Sequence, residues 1–95
     1  MTHISDALER LQVQFRRRAA RDLDDLRRWS TDQEARSEEL RLLVHRLAGA
    51  GGTFGFHRLS ALAAAAEDAI VTHAADRLSA VSAVIKELQQ LSRLG

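Results

Sequence analysis

The chain has 95 residues, enough for one compact domain (1–95) and too few for a deep catalytic cleft. Fourteen Lys+Arg against 13 Asp+Glu leave a formal charge of +1, which argues against a nucleic-acid or membrane partner. No cysteine is present, which excludes disulfides, thiolate catalysis and cysteine-ligated metal; no proline, 16 alanines and five glycines predict long helices with short links.

The first helix is expected from about Ser5, a plausible N-cap, to about Trp29. Ile4, Leu8, Leu11, Phe15, Ala19, Leu26 and Trp29 share one stripe at 3.6-residue spacing. Asp22 falls close to that stripe and is a misfit. The arginine excess between Arg10 and Arg28 is interrupted by Asp22, Asp24 and Asp25 and reads as a solvated helix face. Thr31 and Glu34 have capping-box spacing at the following break.

A second helix is predicted from Ala35 or Ser37 to Phe54, with Leu40, Leu43, Val44, Leu47, Ala50, Gly51 and Phe54 inward. Gly55 closes it, because glycine accepts the left-handed conformation at a helix C-terminus. A third spans about His57 to Thr72, burying Leu59, Leu62, Ala63, Ala66, Ala69 and Ile70, with His73 continuing the stripe as a partly buried residue. The alanine run Ala63 to Ala66 reads as close packing of this helix within a bundle. Asp76 caps the fourth helix, whose stripe is Leu78, Val81, Ile85 and Leu88. Four apolar stripes joined by short links are all buried at once by an all-α, antiparallel up-down-up-down four-helix bundle.

His45 breaks the pattern. At 100° per residue it lies opposite the inward stripe of the second helix, facing solvent. Gly49 and Gly52 lie on the same exposed side, although interior glycine costs about 0.8–1.0 kcal/mol relative to alanine. Such bareness lets another protein come close to the ring. Imidazole, with a reference pKa of about 6.5, keeps a neutral nucleophilic fraction near pH 7, and phosphoryl transfer needs chiefly in-line positioning and charge stabilisation.

His45-x-x-Ala48-Gly49, then Gly55, Leu59-Ser60-Ala61-Leu62 and Glu67, resembles the histidine-containing phosphotransfer (HPt) family, whose signature is H-x-x-K-G with a second glycine six residues on. The resemblance implies a phosphorelay intermediate of two-component signal transduction. Its His45 accepts a phosphoryl group from a receiver-domain aspartate and passes it to another receiver. It implies a phosphocarrier without kinase activity of its own, partnered by response-regulator receiver domains and a hybrid or sensor histidine kinase. No cofactor is expected, the Mg²⁺ belonging to the receiver. Gly49 matches the family's close-approach glycine and Gly55 the helix-closing one. The family lysine is replaced by Ala48, and Arg41, one turn before His45, is the residue placed to supply the missing charge. Arg41, Leu42, Ala48, Gly49 and Gly52 form the expected phosphoryl and receiver-docking surface.

The leading alternative is a helical module that binds a receiver or another helical partner without being phosphorylated. A sensor-kinase dimerisation hairpin is disfavoured, because Arg46 stands where that class has an acid. His3, His45, His57 and His73 lack metal-ligand spacing. Glu38, Glu39 and Glu67 read as ordinary exposed or edge carboxylates, and the serines have no nucleophile-elbow setting. The amino terminus lacks the pattern of a secretion signal, and no apolar run approaches membrane-spanning length. These features predict a cytoplasmic protein, and the family resemblance implies a monomer.

Overall fold

In the computed structural model, residues 3–31 and 33–94 are described, with side chains from residue 6 to 31 and from 37 to 93. Four helices follow one another: α1 His3–Ser30, α2 Gln33–Thr53, α3 His57–Val71 and α4 Arg77–Leu94. Each packs on its chain neighbours, and α4 returns to α1, closing the ring of an antiparallel four-helix bundle. The core runs through all four helices, from Phe15 and Leu26 through Val44, Leu47, Leu59 and Ala66 to Val84 and Leu88.

The helix ends show local causes. Gly55 has φ +87°, and the N–H of Phe56 donates to the carbonyl of Gly51 at 2.7 Å while that of Gly55 reaches Gly52. This is the paired closure that satisfies the last carbonyls of α2. α3 ends the same way, with Ala74 N–H on Ala69 O and His73 N–H on Ile70 O. Here His73 occupies the left-handed position, at φ +53°.

Several sequence expectations need correction. α1 begins at His3, so Ser5 lies inside the helix and not at its N-cap position; the side chains of Ile4, Ser5 and Glu34 lie outside the described residues. The Thr31 hydroxyl donates to Arg28 O at 2.8 Å, closing α1 instead of opening α2. Leu8 and Leu11 are exposed (41% and 43%) because α1 outruns the bundle. Twenty-eight helical residues span about 42 Å, and Gln12 is already level with the end of α2, its Nε2 donating to Phe54 O at 2.7 Å. Leu78 is exposed at the opposite end, and Val84 and Leu91 complete the α4 stripe. Leu23, not in the expected stripe, is buried. Asp22 is buried against α2, where Arg46 Nη2 meets its Oδ1 at 2.6 Å. His73 is exposed, since the left-handed closure turns the chain away from the core. Of the alanine run, Ala63 and Ala66 are buried but Ala64 and Ala65 are exposed.

Candidate functional site

α2 and α3 build the site together. α2 buries Leu40, Leu43, Val44, Leu47 and Gly51, so the opposite side, carrying Leu42, His45, Gly49 and Gly52, is exposed. Gly51 sets how close α3 can come. A Cβ there would lie 3.2 Å from both the Phe56 carbonyl oxygen and the Ser60 nitrogen, so any side chain would push the α3 backbone back by a few tenths of an ångström. The Ser60 hydroxyl reinforces the contact, donating to Ala48 O at 2.7 Å. Ala63 and Ala66 keep the facing side of α3 thin.

That proximity carries a carboxylate to the exposed histidine. Both oxygens of Glu67 lie 3.0 Å from Nδ1 of His45. The His45 side chain is 68% exposed and that of Glu67 only 23%. A carboxylate can only accept, so Nδ1 carries the proton, and the neutral ring then has its lone pair on Nε2. Nε2 has no hydrogen-bond partner among the described residues. Glu67 is therefore no ordinary edge carboxylate. Its role was hidden in the sequence because 22 residues and a helix reversal separate it from His45.

Arg41 reaches the same group. Its Nη1 is 3.2 Å from Glu67 Oε2, while Nη2 and Nε bind Glu38 at 2.6 and 3.2 Å. The guanidinium hydrogen-bonded to Glu38 holds that carboxyl below the usual range. Glu38, Arg41, Glu67 and His45 thus form one continuous chain of polar contacts along the α2–α3 edge.

The other expected residues fall around the ring. Leu42 is exposed on the α1 side, and Ala48 is half-buried one turn beyond His45 on the α3 side. Gly49 is exposed, and a Cβ there would meet nothing within 4 Å; at Gly52 it would touch only the Ser60 hydroxyl, at 3.4 Å. Gly55 lies away from the ring and closes α2. His57 starts α3 and His73 lies just past its end beside Glu38 and Arg41, but neither hydrogen-bonds to His45, Arg41 or Glu67 among the described residues. Among the described residues no group of three His, Asp or Glu side chains is placed to hold a metal ion.

An antiparallel bundle that exposes one carboxylate-backed imidazole over a bare helix face has a counterpart among known families. The chain belongs to the Hpt domain family, whose model matches residues 5–94. Hpt domains are phosphocarriers of two-component signalling, passing phosphoryl groups on a histidine between receiver domains and kinases without catalytic activity of their own. No curated protein and no solved structure matches the chain. No helix among the described residues is long and apolar enough to cross a membrane.

Proposed function

We propose that this protein is a phosphorelay intermediate that accepts a phosphoryl group on Nε2 of His45 from a receiver-domain aspartate and returns it to a second receiver. The observation that carries this reading is the Glu67 carboxylate on Nδ1, which leaves the exposed nitrogen as the nucleophile. In the forward step the Nε2 lone pair forms the N–P bond as the acyl-phosphate P–O bond breaks, and the donor aspartate departs as a carboxylate. In the neutral Nδ1–H tautomer Nε2 bears no proton, so that form attacks without a general base. The ring becomes positively charged, and Glu67 stabilises that charge from the far side. Reversal on a second receiver regenerates neutral His45.

The protein supplies orientation and access. Gly49 and Gly52 leave room for the receiver, Leu42 offers it an apolar contact, and Arg41 lies one turn from the incoming phosphoryl oxygens. Mg²⁺ belongs to the receiver, and the relay works in the cytoplasm with the protein as a monomer.

Incubation with receiver domains phosphorylated by acetyl phosphate tests the proposal. The expected result is an acid-labile, base-stable label on the wild-type chain and none on His45→Gln, whose stability changes by no more than about 0.5 kcal/mol. Label on His57 or His73 would overturn the assignment. Stable binding of a receiver without any label identifies the protein as a docking module.

A further inference from the structure

Beside the His45 face lies a groove between α1 and α2, about 490 Å³ in volume, whose charged lining is Arg17, Arg18, Arg21 and Arg46 with Asp22 and Asp25. Between Arg10 and Arg21 the sequence contains five arginines and no acid, although the whole chain carries only +1. Folding concentrates three of the five along this one edge. Arg17, Arg18 and Arg21 are exposed, and none forms an ion pair among the described residues. The two acids are already engaged, Asp22 by Arg46 and Asp25 by Arg28. Arg18 also acts on Asp22 electrostatically, but with four arginines to two acids the ledge presents a net positive charge.

Its position is informative. Arg46 follows His45 directly in α2 and ties this side of the helix to α1 through Asp22. A standard protein interface covers about 800 Å² per partner, a disc of roughly 16 Å radius, and packed helices lie only about 8–10 Å apart. Any protein centred on His45 thus overlies the ledge. On the opposite flank, Arg41 is shared between the carboxylates of Glu38 and Glu67. The two flanks of the imidazole differ in charge, one rich in guanidinium and the other carrying two carboxylates to one guanidinium.

The geometry points to the Arg17–Arg18–Arg21 ledge as a second contact surface for the protein that meets His45, one that fits an acidic edge of that partner and fixes the direction in which it docks. This rests on the phosphorelay reading, because it takes the receiver as occupant. The argument for that occupant is charge complementarity together with continuity with the histidine face. A charged rim of this kind acts chiefly on encounter rate and orientation.

The test uses the full chain, receiver domains phosphorylated by acetyl phosphate, and phosphoramidate, a small donor that needs no docking. For Arg17→Glu/Arg21→Glu, exchange with the receiver slows about ten-fold or more at low salt, and the gap narrows as salt screens the contact. Labelling of His45 by phosphoramidate and the thermal midpoint stay unchanged, and Arg17→Lys/Arg21→Lys keeps most of the wild-type rate. Normal exchange in the charge-reversed variant, or a loss independent of salt, overturns the proposal. So does a duplex DNA oligomer whose binding is lost in that variant while exchange is intact, since the ledge would then serve nucleic acid. A wild-type chain that phosphoramidate labels on His45 but that exchanges with no receiver also overturns it. Failure of phosphoramidate to label His45 refutes the phosphorelay reading itself.

Discussion

Glu67 holds Nδ1 of His45 from the neighbouring helix, with both carboxylate oxygens at 3.0 Å. The pair joins an exposed ring to a largely covered anion, so the ring gains orientation without losing access. Replacing Glu67 with Gln keeps an acceptor but removes the charge. Transfer is expected to slow about ten-fold, corresponding to about 1.4 kcal/mol for a charge-assisted hydrogen bond. Glu67→Ala is expected to slow it further. Nitrogen NMR of the His45 ring provides a second readout: the wild type shows the Nδ1–H tautomer, and Glu67→Ala shifts the population toward Nε2–H. An unchanged tautomer ratio removes Glu67 from the orienting role.

Arg41 and Ala48 flank His45, one helical turn on either side, on the edge of α2 that faces α3. Arg41→Ala is expected to slow transfer about five-fold, a modest loss because the guanidinium is well solvated. Adding Ala48→Lys to that variant restores part of the rate, by returning a cation to the same edge. A normal rate in Arg41→Ala assigns all charge stabilisation to the receiver.

Two glycines in one helix should respond oppositely to alanine. Gly49→Ala meets open space and gains helix propensity, raising stability by about 0.8–1.0 kcal/mol. Gly51→Ala pushes a Cβ against the backbone of Phe56 and Ser60 and is expected to cost about 1–3 kcal/mol. Thermal unfolding of both variants checks the contrast. Gly49→Glu is expected to remain as stable as wild type yet exchange slowly with a receiver, because its side chain stands where the partner must approach.

Asp22 gives a pH signature. Burial pushes its carboxyl above the ordinary range, against the opposing pull of Arg46. A carboxyl whose folded-state pKa is raised contributes stability below its unfolded value, and that contribution is lost as pH rises through the folded value. Asp22→Asn has no such loss. The thermal midpoint of Asp22→Asn minus that of wild type is therefore expected to grow as pH rises from about 3 to 7. A difference that shrinks over this range means the Arg46 pair outweighs desolvation.

Helix number, order and most of the core were legible in hydrophobic spacing, and so was the outward position of His45. Spacing shows which way a residue faces but not whether a neighbour reaches that far, which is why Leu8, Leu11 and Leu78 are exposed despite lying on their stripes. Asp22 looked like a defect because its partner is on another helix. Glu67 was invisible as a partner for the same reason. His73 adopts the backbone conformation that Gly55 adopts at the preceding helix end, yet only glycine signals that conformation in a sequence. The arginines of α1 looked neutralised along the chain; in space Asp22 turns to Arg46 of α2 and Asp25 to Arg28, which leaves Arg17, Arg18 and Arg21 without an ion pair among the described residues.

Every residue placed on the His45 face and its basic flank comes from α1, α2 or α3. Among the described residues α4 makes no hydrogen bond or ion pair with any of them, and it acts through Val81, Val84, Leu88 and Leu91, whose side chains fill the core from the far side. The consequence is a division of evolutionary labour. The outer surface of α4 can drift with little penalty to relay specificity, and it is where a fusion joint, an added domain or an affinity tag would least disturb recognition. The α2–α3 edge, welded at Gly51, has no such freedom, since a change of spacing there moves Glu67 and His45 apart.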